Sequence, residues 1–177
     1  GDFSFYFVQI APFTYRDEYS TGALKEAQLH SMKIPNTGMV VTSDVGSLIT
    51  IHPPDKKTVG QRLAAWAFAK DYDMKDIPYC GPLYKDSKRE GDKIRIFFDY
   101  SDEGLIAKGG ELKHFLIAGE DMKFVPAEAR IEKNTVLVYS KDVTNPTAVR
   151  FGWGHTDVTN LFNLAGLPAS PFRTDSK

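Results

Sequence analysis

Two short apolar runs, separated by a helical pattern, constrain this chain more than any other feature. Phe5-Tyr6-Phe7-Val8-Gln9-Ile10 is almost unbroken in hydrophobic side chains, as expected of a strand covered on both faces. Ala11-Pro12 ends the run. Ser20-Thr21-Gly22 offers a helix cap, and Ala23 to Met32 reads as a helix of modest amphipathicity. Pro35-Asn36-Thr37-Gly38 is a turn signal, and Met39-Val40-Val41-Thr42 is a second buried strand. Strand, helix and strand in that order specify a β-α-β unit, with parallel strands and a right-handed crossover. Asp44-Val45-Gly46 leaves the carboxyl end of the second strand, and the loop runs on to Ile51-His52-Pro53-Pro54-Asp55-Lys56. Asp55 is placed to cap the next helix, where its carboxylate also complements the helix dipole. Val59, Leu63, Trp66 and Ala67 fall on one face of that helix, and Gly60 is placed for a close approach to the sheet.

The period changes after Asp76. Ile94, Ile96, Phe98 and Tyr100 alternate with Arg95, Phe97 and Asp99, the spacing of a half-buried strand. Further strands are expected over Phe115 to Ala118, Ala129 to Glu132, Thr135 to Ser140 and Ala148 to Trp153. Turn residues separate them: Glu90-Gly91-Asp92, Lys108-Gly109-Gly110, Glu132-Lys133-Asn134 and Thr144-Asn145-Pro146. Short strands with regular turn signals predict a β-sandwich. The charge-rich stretch Lys85 to Lys93 reads as a solvated turn, and Leu161 to Lys177 as an extended, packed tail. The expected fold class is therefore α/β plus all-β. Residues 1–76 form the end of an α/β domain, and residues 77–177 an all-β module. A chain that opens directly on a core strand is expected to begin inside a domain, so its partial sheet exposes an open edge and an uncovered face.

Charge excludes some functions. With 22 basic against 23 acidic residues the formal net charge is −1, which gives no footprint for nucleic acid or an anionic membrane. Cys80 is the only cysteine, so an internal disulfide framework and a cysteine-rich zinc site are excluded. No two histidines have metal-ligand spacing, and neither a metal nor a cofactor is expected. No apolar run is long enough to span a bilayer.

His52 is the strongest candidate for chemistry. Sites in open α/β sheets form beyond the carboxyl ends of the strands, and the loop from Ser43 to Pro54 lies on that side. Imidazole titrates near neutrality, so it can take a proton from a serine hydroxyl and return it. The competing role for His52 is packing against, or capping, the following helix. A catalytic histidine needs an acceptor to orient its ring. The residue two before it is Thr50. Asp44, the nearest preceding acid, either folds back to His52 or stabilises the loop, and a backbone carbonyl is the remaining choice. His30, His114 and His155 read as surface or packing residues. No Gly-x-Ser-x-Gly elbow is present, and neither Ser43 nor Ser47 follows a strand-to-helix turn. Trp153, Tyr100 and Phe172 are either core residues or platforms for a sugar ring.

Several of these segments together resemble the sialate O-acetylesterases. They are Phe5 to Phe13, Leu24-Lys25-Glu26-Ala27-Gln28, Pro35 to Val41, and Ile51-His52-Pro53 with Val59-Gly60-Gln61-Arg62-Leu63-Ala64. In the β part they are Gly81-Pro82-Leu83-Tyr84, Val149 to Trp153, Asn160-Leu161-Phe162-Asn163 and Gly166 to Thr174. The resemblance covers nearly the whole chain in order. It implies the C-terminal portion of an SGNH-type α/β hydrolase domain followed by an accessory β-sandwich. It implies hydrolysis of O-acetyl esters on sialic acid or related sugars through an acyl-enzyme, with His52 as general base. The nucleophilic serine would sit in a Gly-Glu-Ser motif upstream of Gly1. The chain alone is then expected to be inactive, and to associate with the preceding portion of the same protein or with itself. The implied setting is secreted, periplasmic or lysosomal. Family members commonly carry Asp or Asn where this chain has Thr50, which leaves a Ser-His dyad, with or without help from Asp44 or a carbonyl. Two alternatives stand beside this reading: a non-catalytic glycan-binding or structural module, and an esterase for another acetylated glycan such as xylan.

Overall fold

The computed structural model describes residues 2–15 and 21–175. It contains two helices and is otherwise mostly sheet. The expected cap residue Ser20 lies outside the described residues.

The first part is a β-α-β unit followed by a second helix. Strand β1 (Phe5–Val8) is followed by helix α1 (Thr21–His30) and a short 3-10 turn over Ser31–Lys33. Strand β2 (Thr37–Val40) then pairs parallel to β1, with Phe5 opposite Thr37 and Val8 opposite Val40. Helix α2 (Lys56–Lys70) packs against both strands. Its start is set by Asp55, whose Oδ1 accepts from the Thr58 N–H at 3.0 Å. The Thr58 hydroxyl and N–H together hold the Asp55 carboxyl below the usual carboxylate range.

Two expectations are corrected here. β1 is not covered on both faces: Phe5 is 57% exposed, and Phe3 just before it 77%. Among the described residues β1 has one neighbouring strand, and the apolar run extends beyond what that neighbour and α2 cover. The glycine of close approach is Gly38 on β2, not Gly60. A Cβ at Gly38 would stand 2.5 Å from the Trp66 ring, whereas one at Gly60 would meet nothing within 4 Å. The Trp66 ring thereby packs closely on β2, and its indole N–H donates to the Met39 carbonyl at 3.1 Å. Val40, Trp66 and Cys80 form the small core of this part, with Tyr6, Leu63 and Tyr79 against them.

The second part is antiparallel throughout. It runs β3 (Leu83–Glu90), β4 (Lys93–Asp99), β5 (Leu105–Ala107), β6 (Phe115–Ala118), β7 (Val125–Pro126), β8 (Glu128–Glu132), β9 (Thr135–Tyr139), β10 (Ala148–Phe151), β11 (Leu161–Asn163) and β12 (Phe172–Arg173). One four-stranded sheet has the order β3-β4-β9-β8, a second β12-β10-β6-β7, and β5 pairs with β11. The stretch read as a solvated turn is in fact strand β3, paired along its length with β4. As a sheet edge it keeps its lysines, acids and Arg89 in water, so it carries no apolar period.

One core joins the two large sheets. Ile94, Ile96 and Phe98 of β4 and Val136 and Val138 of β9 meet Phe115 and Ile117 of β6 and Val149 and Phe151 of β10. Phe172 from the tail closes it, with ring centroids 5.0 Å from Tyr84, 5.7 Å from Phe151 and 5.8 Å from Phe98. Phe172 is therefore a core residue rather than a sugar platform. Burying such a ring contributes roughly 1.5–3 kcal/mol.

Candidate active-site loop and the junction that holds it

The loop from Ser43 to Pro54 leaves the carboxyl end of β2 and carries His52. His52 is exposed, and no hydrogen bond reaches its ring among the described residues. Its backbone N–H donates to the Thr50 hydroxyl at 3.2 Å, and the Thr50 N–H donates to Ser47 Oγ at 3.3 Å. These two bonds fix the backbone before His52. Thr50 thus serves the main chain of His52 and not its ring. The loop tip beside it is apolar and open: Ile49 is 94% exposed, with Leu48 and Ile51 exposed on either side.

The base of the loop is held by Arg62 on α2. Its Nη1 donates to the Val41 carbonyl at 2.9 Å and to Asp44 Oδ1 at 2.7 Å, and its Nη2 donates to Asp44 Oδ2 at 2.6 Å. The pair is bidentate, and the two side chains are only 10% and 16% exposed. Both Asp44 oxygens are occupied by Arg62, so the acid ties the loop to the helix. Arg62 lies on the same helical face as Leu63 and Trp66. The apolar reading of that face passed over it, because the period counts hydrophobic residues and a buried arginine leaves no mark in it. The signal available was an arginine one position from Leu63 and four from Trp66.

Three further contacts anchor the loop. The Thr159 hydroxyl donates to Ser43 Oγ at 2.7 Å, with both groups buried. The Thr14 hydroxyl donates to the Leu48 carbonyl at 2.9 Å. Gly46 lies so close to Pro12 that a Cβ there would stand 2.7 Å from the Pro12 carbonyl oxygen. Thr159 belongs to the β part, so both parts of the chain position the loop. Ser43, buried and bonded in this way, is not presented to solvent.

The remaining candidates are placed as follows. Trp153 is buried and packs on Gly22, where any Cβ would fall inside the indole ring. It is a junction residue rather than an open platform. Tyr100 is the exception among the three aromatics, at 41% exposed. His114 Nδ1 lies 3.1 Å from Asp157 Oδ1. Burial pushes Asp157 up, yet the His114 and Gly154 hydrogen bonds outweigh it and leave the carboxyl below its usual range. His155 packs against the Tyr15 ring, and its buried Nδ1 has no hydrogen-bond partner among the described residues. No group of three or more His, Cys, Asp or Glu among the described residues is arranged to hold a metal ion.

The chain is similar to sialate O-acetylesterase from Mus musculus, 27% identical over 96% of this chain, and from Rattus norvegicus, 28% identical over 79% of it. A carbohydrate acetylesterase from Xanthomonas citri has the same fold, with a TM-score of 0.90 over 98% of this chain at 38% identity. The chain belongs to the sialate and carbohydrate O-acetylesterase family. No family model matches it. This acetylesterase-family chain spans 35% and 28% of the two rodent enzymes and 41% of the Xanthomonas chain.

Proposed function

We propose that this chain supplies the general base of a carbohydrate O-acetylesterase, with His52 as that base. Exposure of His52 on a loop anchored through Ser43, Asp44, Gly46 and Leu48, at the carboxyl end of a parallel strand, is the observation that carries the reading. The first part is read as the end of an SGNH-like α/β sheet and the second as a β-sandwich accessory module. The nucleophilic serine lies upstream of this chain. His52 removes its proton as Oγ attacks the acetyl carbonyl. Backbone N–H groups outside this chain hold the oxyanion. The sugar oxygen departs with the proton from His52, leaving an acetyl-serine. Water then adds to that ester, giving its proton to His52, which returns it to Oγ as acetate leaves.

With Asp44 engaged by Arg62 and Thr50 bonded to the main chain, the proposed machinery is a Ser-His dyad. A carbonyl from the upstream portion would orient the ring. The exposed Phe3 and Phe5 edge and the open Leu48, Ile49 and Ile51 tip are the surfaces that portion would cover. A carbohydrate ester is favoured over sialate as the only substrate by the higher identity to the Xanthomonas enzyme than to the rodent ones.

The test is acetate release from acetylated xylan and from O-acetylated sialic acid. Activity is expected only with the preceding portion present, and His52→Ala is expected to remove it by about 10⁴-fold or more while leaving thermal unfolding unchanged. Near-normal turnover by His52→Ala in the complete protein sinks the assignment.

A further inference from the structure

A cavity of about 570 Å³ is lined in part by the linker that follows α2. The linker, the turn after β4 and the turn after β11 enclose it. Tyr79, Cys80, Tyr100 and Asn163 are among its lining residues, with Cys80 and Asn163 buried and Tyr100 partly exposed. No residue of the His52 loop lines it.

Tyr100 has two properties that seldom coincide. The residue is 41% exposed, and its backbone has φ of 60°, in the left-handed region that a residue with a bulky side chain rarely adopts. The conformation is imposed from beneath. The Asn163 side-chain amide donates to the Cys80 carbonyl at 3.1 Å and to the Tyr100 carbonyl at 3.2 Å. Its oxygen accepts from the Leu167 N–H at 3.0 Å, so the amide cannot turn away. The next residue is tied as well, since the Ser101 hydroxyl donates to the Phe98 carbonyl at 2.9 Å.

The ring is braced laterally by a row of aromatics. Tyr79 meets Tyr100 edge-on at 5.7 Å and 74°, and Trp66 meets Tyr79 at 4.7 Å and 63°. Lys70 Nζ lies over the Tyr79 ring at 4.5 Å. Burial, above all, raises the Tyr100 phenol and keeps it protonated at neutral pH. A braced, partly exposed aromatic ring beside a cavity, carried on a strained backbone, is an arrangement that the core does not require.

The rim sets the chemistry of the occupant. Asp76, Asp102 and Glu103 stand around the cavity with Lys75 as the one cation in its lining. Carboxylates accept hydrogen bonds from hydroxyl groups, and an aromatic face takes the C–H face of a pyranose ring. Three acids against one base disfavour an anionic ligand. We propose that this cavity is a glycan-binding subsite, separate from the His52 loop, that stacks a neutral pyranose on Tyr100 and holds its hydroxyls with the acidic rim. The choice of a sugar rests on the acetylesterase reading; the choice of a neutral one rests on the rim.

The test is calorimetric titration of the chain with xylohexaose, cellohexaose and N-acetylneuraminic acid. Saturable binding of a neutral oligosaccharide is expected, with N-acetylneuraminic acid failing to bind. Tyr100→Gly removes the ring and suits φ of 60°, so the variant should stay folded and bind roughly three- to tenfold more weakly. Tyr100→Asn, also tolerated in the left-handed region, should match it, while Tyr100→Phe retains binding. His52→Ala should bind as the parent does, which separates this outcome from the fate of the esterase assignment. Absence of saturable binding, binding unchanged in both Tyr100→Gly and Tyr100→Asn, or binding of N-acetylneuraminic acid as tight as that of the neutral sugars overturns the proposal.

Discussion

Lys25 is fully buried on α1, facing the β part, where its Nζ reaches the Gly152 carbonyl at 3.4 Å. Burial pulls its ammonium down to about 8, and Asp157 draws it partway back. The folded chain therefore holds this proton less tightly than the unfolded chain does. The charged form is penalised in the fold below pH 8, and the penalty fades as the pH rises toward the ordinary lysine value. Lys25→Met removes the titration with little change in volume. The stability gap between Lys25→Met and the parent should shift in the parent's favour by up to about 3 kcal/mol between pH 8 and pH 10.5. Urea titrations of both proteins across that range read it directly, and a gap that stays flat contradicts the buried charge. Comparing the two proteins is necessary because Cys80 acts in the opposite direction. Burial pushes its thiol up to about 12, so its contribution is lost as the unfolded thiol ionises.

At the scale of the element, the pair formed by Asp44 and Arg62 couples the His52 loop to α2. Its two groups are nearly out of water, and removing one leaves the other buried without a counter-charge. Asp44→Asn and Arg62→Met should each cost about 3 kcal/mol, at the lower end for buried pairs because both groups keep some exposure. The double variant should cost less than the sum of the two, because neither change then strands a charge. Chemical denaturation of the four proteins tests this, and strict additivity would count against a coupled pair. This contact also marks where the sequence stopped being legible. Phe115 to Ala118 and Ala148 to Phe151 could be placed from pattern alone, because they alternate or run apolar between turn residues. The position of His52 beyond the second strand was legible for the same reason. Strand β3 was not, since an edge strand facing water carries charges in place of an apolar period. β5, β7, β11 and β12 have three residues or fewer, too short for any period to develop. The Arg62 contact spans 18 residues and depends on the tertiary packing of α2 on the sheet, which local pattern does not encode. Gly38 and Gly60 were equally glycine in the sequence, and only the position of the Trp66 ring distinguishes them.

Over the whole molecule, the question is whether the α/β part and the β part unfold together. Their interface is bonded at several separate points. Arg173 holds Glu26 through two hydrogen bonds of 2.9 Å, and Gln9 Nε2 donates to Ser170 Oγ at 3.1 Å. The Ser43–Thr159 bond is buried, and the Phe13 N–H donates to the His155 carbonyl at 3.0 Å. The centre of this interface is Trp153, seated on Gly22. Arg150 and Arg173 flank its ring, each at 5.3 Å. Among the described residues the α/β part has two strands and a core of a few residues, less than a sheet needs to be stable alone. It therefore draws its stability from the β part, and the two should melt in one transition. Trp153→Ala empties the centre of the junction at a cost of about 3–5 kcal/mol. If the coupling holds, that variant lowers a single melting temperature, with the far-ultraviolet and near-ultraviolet circular dichroism transitions still coincident. Separation of those transitions in the parent would mean that the β part folds independently and that the His52 loop takes its order from α2 alone.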